Sequence, residues 1–160
     1  MPARSILRLD LADLERLLAR FLLPNASGLR VAREGDRLLL HVLELRLPTP
    51  LLPAFSATFR VKAALVEGAR NLVAVHLQAE RLPLGLQVLA NPFLDKVVER
   101  MLPAGASAYV DIRSPSLVWV RLEAIPDYGK PFAETLTLTR LTVPGPEGSA
   151  LEAAFGVRST

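Results

Sequence analysis

The two histidines, His41 and His76, are the side chains of this chain best suited to proton transfer or metal binding. Glu80 follows His76 on the same face of a predicted strand, but four residues of strand separate the two by about 13 Å. That distance is too long for a shared proton. The chain has no cysteine, and its His, Asp and Glu residues lack the spacing typical of a metal site. We therefore predict a solvent-facing His76, a hydrogen-bonded His41 in the interior or at a rim, no metal and no cofactor.

Catalytic and phosphate-binding motifs are also missing from the sequence. There is no GxSxG nucleophile elbow, no Walker lysine loop and no dinucleotide fingerprint. The most polar cluster, Asp127–Lys130, lies between two prolines and predicts an exposed turn. The sequence thus favours a non-enzymatic protein and leaves open an enzyme whose site is assembled only by folding.

Trp119 is the aromatic residue most suggestive of an interaction. It shares one face of a predicted strand with Leu117 and Ile125, and also with the charged residues Arg121 and Glu123. An aromatic side chain on such an outward, mixed face is typical of an interface or of the rim of a pocket.

Composition and charge exclude several classes of protein. The 160 residues are 51% hydrophobic and 22% charged, which favours one globular domain over residues 1–160 and argues against disorder. The net charge is +3, but the basic residues are dispersed among acids, as where Arg33 and Arg37 flank Glu34 and Asp36. Nucleic-acid binding needs clustered bases and exposed aromatics, so we predict no nucleic-acid partner.

The first 23 residues contain no signal peptide, because charged residues interrupt every apolar run. No window approaches the roughly 20 apolar residues of a membrane span. The absence of cysteine fits a reducing compartment. We therefore predict a soluble, cytoplasmic protein without a transmembrane segment.

The apolar periodicity predicts an α+β fold, a curved antiparallel sheet of about eight strands packed against two amphipathic helices. Phe55–Val66 alternates strictly between apolar and polar residues, as a strand with one buried face does. The helices are predicted after the N-caps Asp10 and Asn91, the second ending near Leu102. The other predicted strands are Ser5–Leu9, Leu29–Arg33, Arg37–Leu47, Leu72–Leu82, a hairpin within Ala106–Ile125, Phe132–Val143 and Ser149–Val157.

The strand Arg37–Leu47 is apolar on both faces. Leu38, Leu40 and Val42 share one face, and the other carries Leu39, Leu43, Leu45 and Leu47. A strand of this kind is covered on both sides. The cover is a helix, a second subunit or a ligand.

This order of elements resembles one half of the tubular lipid-binding folds, the bactericidal/permeability-increasing protein class, and in particular its small bacterial single-half relatives. The resemblance covers the striped first helix, the long hairpins and the Asn91–Leu102 segment. It implies a curved sheet wrapped around a helix, with acyl chains held between them. The competing helix-grip fold requires a long C-terminal helix, whereas this chain is predicted to end in strands.

The leading hypothesis is a non-enzymatic module that binds a lipid or another apolar small molecule between sheet and helices. The alternative is a homo-oligomeric structural protein without a small-molecule ligand, whose interface includes Leu38, Leu40, Val42 and Trp119. The residues predicted to line the ligand site are Phe55, Phe59, Val75, Leu77, Phe93, Val97, Met101, Val120 and Leu122.

Overall fold

The computed structural model describes residues 4–22, 25–46, 53–81, 105–114, 117–127, 129–146 and 148–157. Its class is α+β, as the sequence predicts. In chain order the elements are β1 (Arg4–Leu9), α1 (Leu11–Leu22), β2 (Gly28–Glu34), β3 (Arg37–Leu45), β4 (Phe55–Leu65), β5 (Leu72–Arg81), β6 (Val110–Ser114), β7 (Leu117–Arg121), α2 (Lys130–Glu134), β8 (Leu136–Thr142) and β9 (Leu151–Val157). One-turn 3-10 helices cover Ala106–Ala108 and Leu122–Ala124.

The described strands form two antiparallel sheets rather than the single predicted sheet. The larger has six strands in the order β2-β3-β4-β5-β7-β6, and the smaller has three in the order β1-β9-β8. The pairing of β1 with β9 joins the two ends of the described chain. Periodicity reveals which face of a strand is buried but not which distant strand it pairs with, so the division into two sheets was not visible in the sequence.

Helix α1 begins where its cap predicts. The amide of Asp13 donates to the Asp10 carboxylate at 2.7 Å, which satisfies one of the unpaired donors of the first turn. Leu14 is buried, and Leu11 and Leu18 pack beside it against the six-stranded sheet. The apolar stripe of the helix is therefore core, as its helical spacing indicates.

The two sheets and α1 enclose two apolar clusters. The first lies between α1 and β2–β4, and its centre includes Leu14, Leu40 and Phe59. The second lies where the three-stranded sheet meets β4 and β5, around Val73, Leu138 and Ala153. The smaller sheet and α1 thus share the task of covering one face of the larger sheet.

A β-bulge near the end of β3 corrects one expectation. Val42 pairs with Ala57, and Leu45 pairs with Phe55. Two residues of β3 therefore lie between these two pairs, opposite a single residue of β4. Glu44 takes a left-handed φ of 49° at this point. The extra residue turns Leu45 onto the face of Val42, whereas strict alternation had placed it on the opposite face.

Asn71, in the turn before β5, connects the two layers and is only 1% exposed. Its side-chain Nδ2 donates to the carbonyls of Phe132 at 3.1 Å and Leu136 at 3.0 Å. Its Oδ1 accepts the amide of Leu138 at 2.8 Å. Asparagine also tolerates the left-handed φ of 55° found here. One side chain thereby ties the six-stranded sheet to α2 and β8.

Phe132 lies in α2 and not at the start of a strand as predicted. Pro131 falls within the first turn of this helix, a position for which its ring is preorganised. The strand that follows, β8, begins only at Leu136. The second helix predicted from the sequence, Asn91–Leu102, lies outside the described residues.

Candidate functional site

The strand register defines one apolar face of the six-stranded sheet, here called the inner face. It carries Leu40 of β3, which pairs with Phe59 of β4. Further along the sheet, Val75 of β5 pairs with Val118 of β7, and Val118 pairs with Ile112 of β6. Directly opposite residues in antiparallel strands share a face. The inner face therefore runs without a break across all six strands.

The structure divides the predicted ligand-binding residues into three groups. Phe59 is buried in the first cluster, with Phe55 packed against it. Val75 and Leu122 pack against the second cluster. Leu77 and Val120 are half-buried and, among the described residues, belong to neither cluster. Phe93, Val97 and Met101 lie outside the described residues.

Leu77 and Val120 belong to a group of half-buried residues around Val118 of β7, which is itself only 8% exposed, and sequence reasoning did not select this group in full. Val120 pairs with Val110, and Ile112 lies one row further along β6. Both β6 residues are half-buried and, within the described chain, also lie outside the two clusters. We call Leu77, Val110, Ile112 and Val120 the open patch. The alternation of these residues was visible in the sequence, but their partial burial was not. Periodicity indicates which face of a strand a side chain lies on, but not how much of that side chain is covered.

The chemistry of the open patch is simple. All four side chains are alkyl, so they offer neither hydrogen bonds nor titratable groups. Such a surface attracts other apolar groups through the hydrophobic effect and dispersion contacts. It suits binding rather than catalysis.

The residues predicted to form an interface on β3 are already covered within the chain. Leu38 is 2% exposed, and Leu40 and Val42 are also buried in the first cluster. Leu39, on the opposite face of the strand, is buried as well. The strand is therefore covered on both faces, and its inner cover comes from α1 and the rest of the core rather than from a second subunit.

Trp119 lies half-buried on the outer face of β7, where it pairs with Ala74 and Asp111. The Arg113 guanidinium lies 4.4 Å from the centroid of the indole, within cation–π range, and Arg113 also pairs with Asp111 at 2.8 Å. A pocket of about 80 Å³ adjoins them. Pockets for organic ligands usually hold roughly 300–1,000 Å³, so this one has room for only a small group.

The histidines have the structural surroundings predicted for them. His41 shares a hydrogen bond with the Thr58 hydroxyl, with 2.9 Å between Nδ1 and Oγ1. His76 is exposed, and the neighbouring Glu80 carboxylate instead pairs with Arg37 at 2.6 Å. Neither imidazole is joined to an acid that would orient it for proton transfer.

The loop before α2 is shaped by close packing. The Gly129 amide donates to the Ile125 carbonyl at 2.8 Å. A Cβ atom at Gly129 would lie only 2.5 Å from the Glu123 carbonyl oxygen, so the turn requires glycine. The polar Asp127–Lys130 cluster thus contains a position selected for its backbone. Within the ranges given above, no group of three or more His, Asp or Glu side chains is arranged to hold a metal.

No helix in the described part of the chain combines the length and apolarity needed to cross a membrane. Comparisons with protein-family models, with curated proteins and with solved structures returned no match for this chain. Its function has to be inferred from the site itself.

Proposed function

We propose that this chain is a non-enzymatic module that binds a lipid-like apolar ligand against the open patch. The observation that carries the proposal is the uneven cover of the inner face. Around Leu40 and Phe59 the face is buried in the first cluster, whereas Leu77, Ile112 and Val120 are half-buried and outside both clusters. Apolar surface gains about 25 cal/mol for each Å² removed from water, so an acyl chain lying here would be stabilised.

The curvature that such a site needs has a physical source in the larger sheet. Register shifts occur in the β3–β4, β4–β5 and β6–β7 pairs. Each bulge bends its strand and increases the local twist. We extend to this chain the ligand class implied by the resemblance of its sequence to tubular lipid-binding half-domains.

Extraction followed by a binding measurement tests the proposal. Native mass spectrometry of the purified protein, before and after organic extraction, should reveal a bound acyl chain or uptake of an added fluorescent fatty acid. We expect Ile112→Arg to weaken fatty-acid affinity at least about tenfold, because a guanidinium would be introduced into an apolar surface. Leu43→Arg is the matched control, since Leu43 is 49% exposed and lies outside the open patch.

Two results would overturn the proposal. The first is a wild-type protein that neither carries an extractable apolar molecule nor binds the fatty-acid probe. The second is an equal loss of affinity in Ile112→Arg and Leu43→Arg, which would place binding elsewhere on the surface.

A further inference from the structure

The described strands give the two sheets four edges, which differ in the features that discourage pairing with another strand. Unpaired edges are templates for strand addition, which proteins usually prevent with covers, bulges or charges. β2 is protected by α1. The Val31 amide, which faces away from β3, donates to the Glu15 carboxylate at 3.1 Å. The free edge of β2 is thus capped by a helix side chain.

β6 and β8 are protected by irregularity and charge. The β6–β7 register shifts between Ile112 and Ser114, and Asp111 and Arg113 form an ion pair on the exposed face of this edge. The β8–β9 register shifts next to Arg140, whose guanidinium pairs with Glu152 at 2.8 Å. A bulge twists the edge and leaves a residue unpaired, so neither strand offers a straight template.

Among the described residues, β1 has no register shift and no helix side chain bonded to its edge, although it carries one ion pair, Arg8 with Glu152 at 2.6 Å. It pairs with β9 through six consecutive residues, from Arg4 to Leu9, without a register shift. Ile6 is 56% exposed and Leu7 is 46% exposed, and successive residues of a strand lie on opposite faces. Among the described strands, none pairs with the second edge of β1. A straight edge with apolar side chains on both faces is suited to pairing with another strand.

We propose that β1 pairs antiparallel with β1 of a second copy of this chain, about a two-fold axis centred on Leu7. The two three-stranded sheets then form one six-stranded sheet of order β8-β9-β1-β1-β9-β8. A two-fold axis perpendicular to an antiparallel pair places one residue opposite its own copy, so the centre is either Ile6 or Leu7.

Charge decides between the two registers. Centring on Ile6 places Arg4 opposite the partner's Arg8, and like charges directly opposite each other destabilise a pair. Centring on Leu7 sets Leu7 against its own copy and leaves Arg4 opposite the partner's Asp10, which lies beyond β1 as the N-cap of α1. Arg8 is held by Glu152 at 2.6 Å and lies opposite Ile6 in this register. The Leu7 register therefore avoids every like-charged pair along β1.

Because β8, the other edge of the small sheet, is bulged and charged, assembly stops at two copies.

Sedimentation equilibrium up to about 500 µM covers the range in which a micromolar Kd gives mostly dimer. We expect a monomer–dimer equilibrium for the wild type, weakened at least about tenfold by Leu7→Lys, because lysine on an edge opposes strand pairing. Leu17→Lys is the matched control: Leu17 on α1 is also 46% exposed and should leave the equilibrium unchanged.

Single cysteines test the register directly, since the chain has no cysteine of its own. Opposite residues have Cα atoms about 4.5–5.5 Å apart, within the range of a disulfide, whereas Cα atoms more than about 7 Å apart cannot be joined. With oxidised glutathione as oxidant, we expect a covalent dimer from Leu7→Cys. In this register the two copies of residue 6 are offset from each other by two positions along the strands. Ile6→Cys should therefore give no more covalent dimer than Leu17→Cys, which measures the background of random crosslinking.

Each alternative result overturns the proposal. A wild type that stays monomeric over the whole range excludes the pairing. Assemblies larger than a dimer exclude the closed two-fold arrangement. Equal effects of Leu7→Lys and Leu17→Lys, or a stronger crosslink in Ile6→Cys than in Leu7→Cys, exclude the β1 edge in this register. None of these outcomes bears on ligand binding at the open patch, which is measured separately.

Discussion

The two halves of the inner face differ in how completely they are covered. In the half formed by β2–β4, Leu38, Leu40 and Val42 are buried beneath α1 and the rest of the first cluster. In the half formed by β5, β7 and β6, Val73 and Val118 are also buried, but the side chains of the open patch around Val118 remain half-buried. Both halves are largely apolar, although Arg33 of β2 shares the face of Leu38. The difference lies in what packs against them and, under the proposed function, it distinguishes surface used for stability from surface used for binding.

The largest expected effect comes from a large-to-small change in the packed half. Leu38→Ala should lower the free energy of unfolding by about 3–4 kcal/mol, because a fully buried leucine loses its contacts and leaves a cavity. Urea denaturation measures the change through its midpoint. A loss below about 1 kcal/mol would mean that this half is not the tightly packed core that the burial of Leu38 indicates.

The second-largest effect is expected when the hydrogen bonds of Asn71, which connect the two sheets, are removed. Asn71→Asp keeps the size of the side chain and its tolerance of the left-handed backbone, but replaces a donor that serves two carbonyls with a carboxylate oxygen. We expect a loss of about 2–3 kcal/mol in unfolding free energy. Thermal and urea unfolding at neutral pH should agree. A variant as stable as the wild type would show that the contacts to Phe132 and Leu136 do not hold the layers together.

A smaller effect is expected in the open half. Leu77→Ala should cost only about 1 kcal/mol, because Leu77 is half-buried and its contacts are correspondingly fewer. The same urea measurement, run beside Leu38→Ala, gives the comparison directly. Equal losses in the two variants would remove the distinction between the halves.

The smallest effect tests how α1 protects the packed half. Glu15→Ala removes the acceptor of the Val31 amide at the edge of β2. The stability change should be about 0.5 kcal/mol, since water replaces the carboxylate and alanine favours the helix. Amide exchange is the more sensitive measurement. Val31 should exchange faster while the Leu40 amide is unaffected, and equal acceleration of both would indicate general loosening of the sheet instead.

Local structure was largely readable from the sequence. The Asp10 cap, the apolar stripe of α1 and the alternation of β4 each depend on neighbours a few residues apart, where propensity and periodicity act. The Phe132 region was misassigned although Pro131 was a visible helix-start signal, because the following threonine-rich segment suggested a longer strand.

Long-range features were not readable. The bulge at Glu44 is a single inserted residue without a distinctive side chain, so alternation placed Leu45 on the wrong face. The contacts of Asn71 with α2 and β8 join residues more than 60 positions apart. Among the ligand-site residues, periodicity identified the inner face but not the share of each side chain that stays uncovered, and it therefore omitted Val110 and Ile112.

The ion pair between Arg8 and Glu152 has a consequence for the order of folding. These residues are 144 positions apart, and β1 finds its only described pairing partner in β9. During synthesis from the N-terminus, β1 emerges before the other described strands and stays unpaired until nearly all of the described chain has followed. The small sheet must therefore close after the β2–β3 and β4–β5 hairpins, whose partners are adjacent in sequence. Of the described strands, the first to be synthesised is among the last to be paired.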